Sequence, residues 1–95
     1  MADSKPKKAV ALKYDSDSGS APVVVASGRG DVAERIIELA HEAGLHITPD
    51  PDLSELLAQI PIGHEIPEEL YQAVAEVLAY VYRLNEQNKE GNNNG

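Results

Sequence analysis

The chain has no cysteine among its 95 residues, which excludes a disulfide framework and any thiolate metal site. Cations are scarce. Eight Lys and Arg stand against sixteen Asp and Glu, a formal net charge of −8. Phosphate contacts need clustered cations, so a general nucleic-acid binder is excluded. No apolar run approaches the ~20 residues of a membrane span, so direct membrane insertion is not expected. The N-terminal lysines are not followed by the apolar stretch of a secretory signal, and a cytoplasmic location is expected. Length suits one small domain. Apolar residues at 42% and charged residues at 25% are close to globular averages, which argues against a disordered chain.

Charge is distributed unevenly. Residues 1–14 hold Lys5, Lys7, Lys8 and Lys13 against Asp3, a balance of +3, while the remainder sums to −11. A basic arm on an acidic body can steer towards an acidic partner. Residues 1–8 are expected to be a disordered basic arm, residues 9–85 the folded domain, and residues 86–95 a disordered polar tail ending in the low-complexity Gly91–Gly95.

Within the folded part, Ala9–Tyr14 reads as a strand. The cluster Asp15-Ser16-Asp17-Ser18-Gly19-Ser20 is a dense turn signal. Pro22–Ala26 is a short β-branched run with the pattern of a strand covered on both faces. The link of about seven residues between the two runs fits an antiparallel hairpin. Asp31 is the expected N-cap of a first helix, with Glu34 completing a capping box and Val32, Ile36, Leu39, Ala40 and Ala43 on its inner face. Gly44 ends that helix, and Leu45–Thr48 is expected to be a third strand, reached by a right-handed parallel crossover. Asp52 is the expected cap of a second helix, with Leu53, Leu56, Leu57 and Ile60 inward. Ile62–Ile66 is a connector. Pro67 suits the first position of a final helix of about 18–20 residues, whose stripe is Leu70, Ala73, Val74, Val77, Leu78, Val81 and Leu84. The expected class is α/β: a small mixed sheet of about three strands, an antiparallel hairpin plus a βαβ crossover, packed by three helices.

Sites of chemistry are few. Gly28-x-Gly30 between a strand and a helix could hold a phosphate, and a small anion- or nucleotide-binding protein using the Gly28–Asp31 turn is the alternative function. The dinucleotide fingerprint needs a third glycine where Ala33 stands, and no Lys-Ser/Thr pair makes a P-loop. His41, His46 and His64 have no metal-ligand spacing, so no metal is expected. Asp15–Gly19 resembles the start of a calcium loop but lacks its closing glutamate, and reads better as an Asx-rich turn. No nucleophile motif is present, so no enzyme and no cofactor are expected. Tyr71, Tyr80 and Tyr82 share the last helix, either at the core edge with hydroxyls in water or as a recognition surface.

Three stretches go further together than any does alone. They are Ala9-Val10-Ala11-Leu12-Lys13-Tyr14, Ala21-Pro22-Val23-Val24-Val25-Ala26 with Gly28, and Ile62-Gly63-His64-Glu65-Ile66-Pro67-Glu68-Glu69-Leu70-Tyr71-Gln72-Ala73-Val74-Ala75-Glu76. In order and spacing they resemble the cytoplasmic domain of the FlhB/YscU family, the substrate-specificity switch proteins of flagellar and type III secretion export. The likeness covers about Ala9 to Leu84 and implies a small mixed sheet wrapped by helices.

The departures carry information too. Family members are usually membrane proteins with four N-terminal spans, and the chain resembles the stand-alone product of their cleavage. The family's self-cleaving Asn-Pro-Thr-His loop aligns with Ser4, Lys5, Pro6 and Lys7. Without the Asn no succinimide can form, so no autocleavage and no catalytic residue are expected. The strand before that loop is missing as well. Ser27 stands where the family commonly has Lys, and Glu55 lies in a stretch that is usually basic. The resemblance implies a non-catalytic protein-binding module in protein export and substrate-specificity control. Its expected partners are components of the flagellar or type III export gate, the membrane-bound FlhB-type protein and export substrates among them. The missing strand should leave an edge open to strand addition, so the partner-binding candidates are Ala9, Val10, Ala11, Leu12, Lys13 and Tyr14, with Tyr71.

Overall fold

A computed structural model describes residues 7–92. Strands β1 (Lys8–Lys13) and β2 (Val23–Arg29) are followed by helices α1 (Asp31–Glu42), α2 (Pro51–Leu57) and α3 (Tyr71–Asn92), with a 3-10 turn at Glu68–Leu70 leading into α3. The two strands pair antiparallel, from Lys8 opposite Arg29 to Lys13 opposite Val23. The register slips between Ala11, which faces Ala26, and Leu12, which faces Val24. Val25 is therefore the extra residue of a β-bulge. It is 46% exposed, so β2 is not covered on both faces as its apolar run suggested. The connecting turn is held by its own polar side chains. Asp15 Oδ1 accepts from the Asp17 N–H at 3.0 Å, and the Ser18 hydroxyl donates to the Asp15 carbonyl at 2.9 Å. This is the Asx geometry anticipated for that cluster.

The two faces of the hairpin are chemically different. Val10, Leu12 and Val24 face the core, which leaves Ala9, Ala11, Ala26 and Gly28 on the opposite side. Those small residues form the floor on which α1 lies. A Cβ at Gly28 would overlap the Val32 side chain, so only glycine allows the helix this close. The inner face of α1 is rotated from the expected one. Ala33 is fully buried, while Val32 and Leu39 are 55% and 46% exposed. A small residue points at the floor and the larger ones flank it. The N-cap also differs. It is Gly30, at φ 62° and ψ −129°, with no side-chain cap, and Asp31 is the first helical residue. A positive φ there suits glycine and strains any other residue.

On the other face lies the core: Val24, Leu53, Leu57, Ile66 and Val74, with Val10, Leu12, Ile60, Leu70 and Val77 packed around them. Helix α2 is capped by Asp50, two residues before the expected cap, and its carboxylate accepts from the Leu53 N–H at 3.1 Å. Pro51 then takes the first helical position, where no N–H is needed. Leu53 and Leu57 point inward and Leu56 is 48% exposed, so the expected inner face loses one member. The stripe of α3 reaches the core as anticipated, with Val74 almost fully buried. Pro67 is extended and precedes the 3-10 turn rather than opening the helix. The helix continues to Asn92, seven residues beyond the boundary expected at residue 85.

The third strand is not seen. Leu45–Thr48 carries no ladder, and among the described residues the sheet is two-stranded and antiparallel, without a parallel crossover. Three local causes act together. The Leu45 N–H is spent on the Ala40 carbonyl at 2.9 Å, closing the end of α1. Pro49 follows at once and has no N–H to donate. The outer edge of β2 is taken instead by the 63–66 connector. There the Val24 N–H donates to the His64 carbonyl at 3.0 Å, the Gly63 N–H to the Val24 carbonyl at 2.7 Å and the Ile66 N–H to the Pro22 carbonyl at 2.9 Å. The contact amounts to an isolated antiparallel bridge between Val23 and Glu65, not a strand.

Candidate protein-binding surface

Strand β1 is the edge of this sheet. The Gly30 N–H donates to the Lys7 carbonyl at 2.8 Å, so Lys7 belongs to a hydrogen-bonded pair. By the alternation of an antiparallel ladder, Lys8, Val10 and Leu12 then direct their N–H and C=O groups away from β2. Among the described residues no backbone hydrogen bond reaches those outward groups. An unpaired edge of this kind is a template for an added strand. The five residues Lys8–Leu12 are half-buried in side-chain terms, and Lys13 is exposed. The edge is therefore a backbone feature flanked by charge, not an apolar patch.

One ion pair fixes the start of this edge. Lys8 Nζ lies 2.8 Å from Glu55 Oε1, with the Lys8 side chain 19% exposed and Glu55 63% exposed. The pair ties β1 to α2. Glu55 thus has a structural role in this chain that sequence reading missed. No sequence signal pairs the two residues: Lys8 is one of several lysines in the basic arm, Glu55 follows Asp50 and Asp52, and nothing in spacing connects them.

Tyr14 and Tyr71 come together across a second feature. A shallow cleft of about 280 Å³ is lined by both tyrosines and by Pro22, Ile66, Ala75 and Leu78. Tyr14 follows β1 and Tyr71 opens α3, and they are 43% and 45% exposed. Helical geometry puts Tyr71, Ala75 and Leu78 on one stripe, so one wall is a continuous helix face. Pro22, Ala75 and Leu78 were not expected as site residues: Leu78 reads as part of the core stripe of α3, and Pro22 and Ala75 only as members of the family stretches. Tyr80 is not part of this cleft; its ring meets His46 with centroids 5.5 Å apart and planes tilted by 54°.

The other candidates are less built. Ser4, Lys5 and Pro6 lie outside the described residues, and Lys7 is exposed beside the ladder. At the Gly28–Asp31 turn the Gly30 N–H is already spent on Lys7, and Asp31 and Glu34 put two carboxylates in the first turn of α1. Both oppose an anion. His41, His46 and His64 are all exposed, and among the described residues no group of three or more metal-ligating side chains occurs. No described helix is long and apolar enough to cross a membrane.

Fold and surface define a small mixed α/β domain with a strand edge that is unpaired among the described residues and an aromatic-lined cleft beside it. The FlhB HrpN YscU SpaS family matches residues 6–81, and the chain belongs to that family. YlqH of Bacillus subtilis, an uncharacterized protein, is 45% identical over 80 residues, covering 84% of this chain and 86% of its own. The flagellar biosynthetic protein FlhB of Aquifex aeolicus is 42% identical over 74 residues. That match covers 77% of this chain but 21% of FlhB, so the chain spans about a fifth of that relative's length. Among solved structures, the cytoplasmic domain of FlhB from Shewanella putrefaciens superposes with a TM-score of 0.81 at 40% identity, over 87% of this chain and 69% of that one. The chain is thus a homologue of the FlhB cytoplasmic domain, within a family of flagellar and type III export proteins.

Proposed function

We propose that the chain is a non-catalytic protein-binding module of flagellar or type III export, acting in the bacterial cytoplasm. It docks on a component of the export gate, the membrane-bound FlhB-type protein being the first candidate, and takes part in deciding which substrates leave. The observation that carries this reading is the edge of β1, unpaired among the described residues, in a chain of this family. An added strand would satisfy the outward N–H and C=O groups of Lys8, Val10 and Leu12. The cleft between Tyr14 and Tyr71 lies beyond the Lys13 end of that edge and offers an aromatic-lined seat for an apolar side chain of the same partner. The alternative, anion or nucleotide binding at Gly28–Asp31, is disfavoured by the spent Gly30 N–H and the two carboxylates beside it.

The test is genetic and biochemical. Cells whose membrane switch protein is truncated just after its cleavage-site Asn receive this chain in trans, and export of late filament subunits is scored. Rescue is expected, and rescue should be lost when Tyr14 and Tyr71 are both changed to Ala. Failure with a folded, expressed chain would reject a role in place of the cleaved half. For the alternative, a ligand at 100 times its dissociation constant would raise stability by about 2.7 kcal/mol. No thermal shift is expected with millimolar phosphate or nucleotide.

A further inference from the structure

We infer that the strand β1 accepts carries carboxylates at two positions six residues apart, opposite Lys7 and Lys13, with apolar residues alternating between them. This rests on the strand-addition reading above and adds the chemistry of the partner. Side chains alternate along β1, so Lys7, Ala9, Ala11 and Lys13 share the face towards α1, while Lys8, Val10 and Leu12 share the core face. The bulge lies on β2 and leaves this alternation intact. Lys8 is already paired with Glu55. Lys7 and Lys13 are exposed, and no ion pair among the described residues engages either. The two cations therefore bracket the edge on one face, with only Ala9 and Ala11 between them; Lys7 stands at a cleft that Asp31, Glu34 and Glu38 of α1 also line, so Lys13 is the more open of the two.

A strand added to this edge, in either direction, sets its residues directly beside those of β1, with cross-strand Cβ atoms about 4.5–5.5 Å apart. Carboxylates beside Lys7 and Lys13 would be favoured there, and cations would be repelled. On the core face the neighbours of Val10 and Leu12 must be apolar to extend that surface. The same two lysines act against a second copy of this chain. Antiparallel self-pairing centred on Val10 uses the whole edge, and it sets Lys7 of each copy against Lys13 of the other. Lysine on an edge strand is a known guard against such pairing.

The test uses the full chain, isotopically labelled, and three peptides of alternating Val and Thr that differ only at positions one and seven, which carry Glu, Gln or Lys. Amide shifts of residues 8–12 and the dissociation constant are read for each. The Glu peptide should bind about tenfold tighter than the Lys peptide, two cross-strand charge pairs each being worth about 1.5–5-fold. Added salt should narrow the gap. Changing both Lys7 and Lys13 to Glu should reverse the order, with circular dichroism confirming an unchanged fold. Equal binding of all three peptides, with β1 amides shifted, would overturn the charge selection and leave strand addition standing. No shift of β1 amides with any peptide would overturn strand addition itself. Concentration-dependent shifts of β1 amides without peptide would assign the edge to self-association and overturn the proposal.

Discussion

Replacing Gly28 with Ala should destabilise the protein, although the backbone at Gly28 is not in the left-handed region. On entropy alone the change would stabilise by about 0.4–1 kcal/mol, because alanine restricts the unfolded chain. The structure says that packing outweighs this. The new Cβ would lie 2.8 Å from the Val32 Cβ and closer still to one of its methyl groups. Overpacking of this kind costs about 1–3 kcal/mol. Val32 is 55% exposed, so its methyl group can turn away, but its Cβ is fixed to the helix backbone, which puts the cost near the middle of that range, about 2 kcal/mol. The net expectation is a loss of about 1 kcal/mol, read as a drop of ~1 M in the urea midpoint for a chain of this size. The decisive construction is the double-mutant cycle. With Val32→Gly as the second change both close contacts are gone, whereas alanine would keep the Cβ at 2.8 Å, and Gly28→Ala should become neutral or stabilising in that background, giving a coupling energy of about 1–2 kcal/mol. Additivity of the two changes would refute the argument that Gly28 exists for close approach of α1. It would reopen the reading of Gly28-x-Gly30 as a ligand loop.

Further outcomes follow from the corrected helix positions and the cleft. Asp50→Ala should cost about 0.5–2 kcal/mol in chemical denaturation by removing the cap of α2, whereas Asp52→Ala, outside the cap, should change stability by less than about 0.5 kcal/mol. Leu57→Ala should cost about 2–5 kcal/mol, as a deletion in the core, and Leu56→Ala, half-exposed on the same helix, clearly less. Tyr14→Ala and Tyr71→Ala should leave the melting temperature within a few degrees of the parent, because both rings are more than two-fifths exposed. Calorimetric titration should nevertheless show weakened binding of an export-gate partner. Breaking the Lys8–Glu55 pair with Glu55→Gln should cost about 0.2–1 kcal/mol, an effect that high salt reduces.

What could be read from the sequence was what local rules decide. The hairpin, its Asx turn and the long stripe of α3 follow from alternation, turn chemistry and a repeat of three and four, and all three are present in the structure. The misplaced features are those in which two local rules competed. At α2 both Asp50 and Asp52 can cap, and Pro51 favours Asp50: proline pre-sets the first helical position and holds the residue before it in the extended conformation an N-cap needs. At α1 the apolar residues Val32 and Leu39 looked inward by hydropathy. The floor of Ala9, Ala11, Ala26 and Gly28 instead asks for a small residue, and Ala33 meets it. Leu45–Thr48 has strand-like composition. A strand needs a partner edge, and the one on β2 had already gone to the 63–66 connector.

The candidate site was legible to a different degree for each part. Ala9–Tyr14 was visible as a strand from its alternation, and the resemblance, through the strand that precedes it in the family, marked its edge. The cleft was visible only as Tyr14 and Tyr71 separately, since nothing in a linear chain says that residues 57 positions apart share a wall. The Lys8–Glu55 pair was invisible for the same reason, yet it decides how the edge is used. It neutralises the one lysine on the core face of β1 and leaves Lys7 and Lys13 on the other face as the bracketing charges. α1 covers one face of the hairpin, α2 and α3 cover the other, and the 63–66 connector closes part of the far edge. The longest stretch of backbone left for pairing among the described residues is outward from β1, between those two lysines. A partner recognised there is selected by hydrogen bonds that any sequence can make and by two charges that few sequences match.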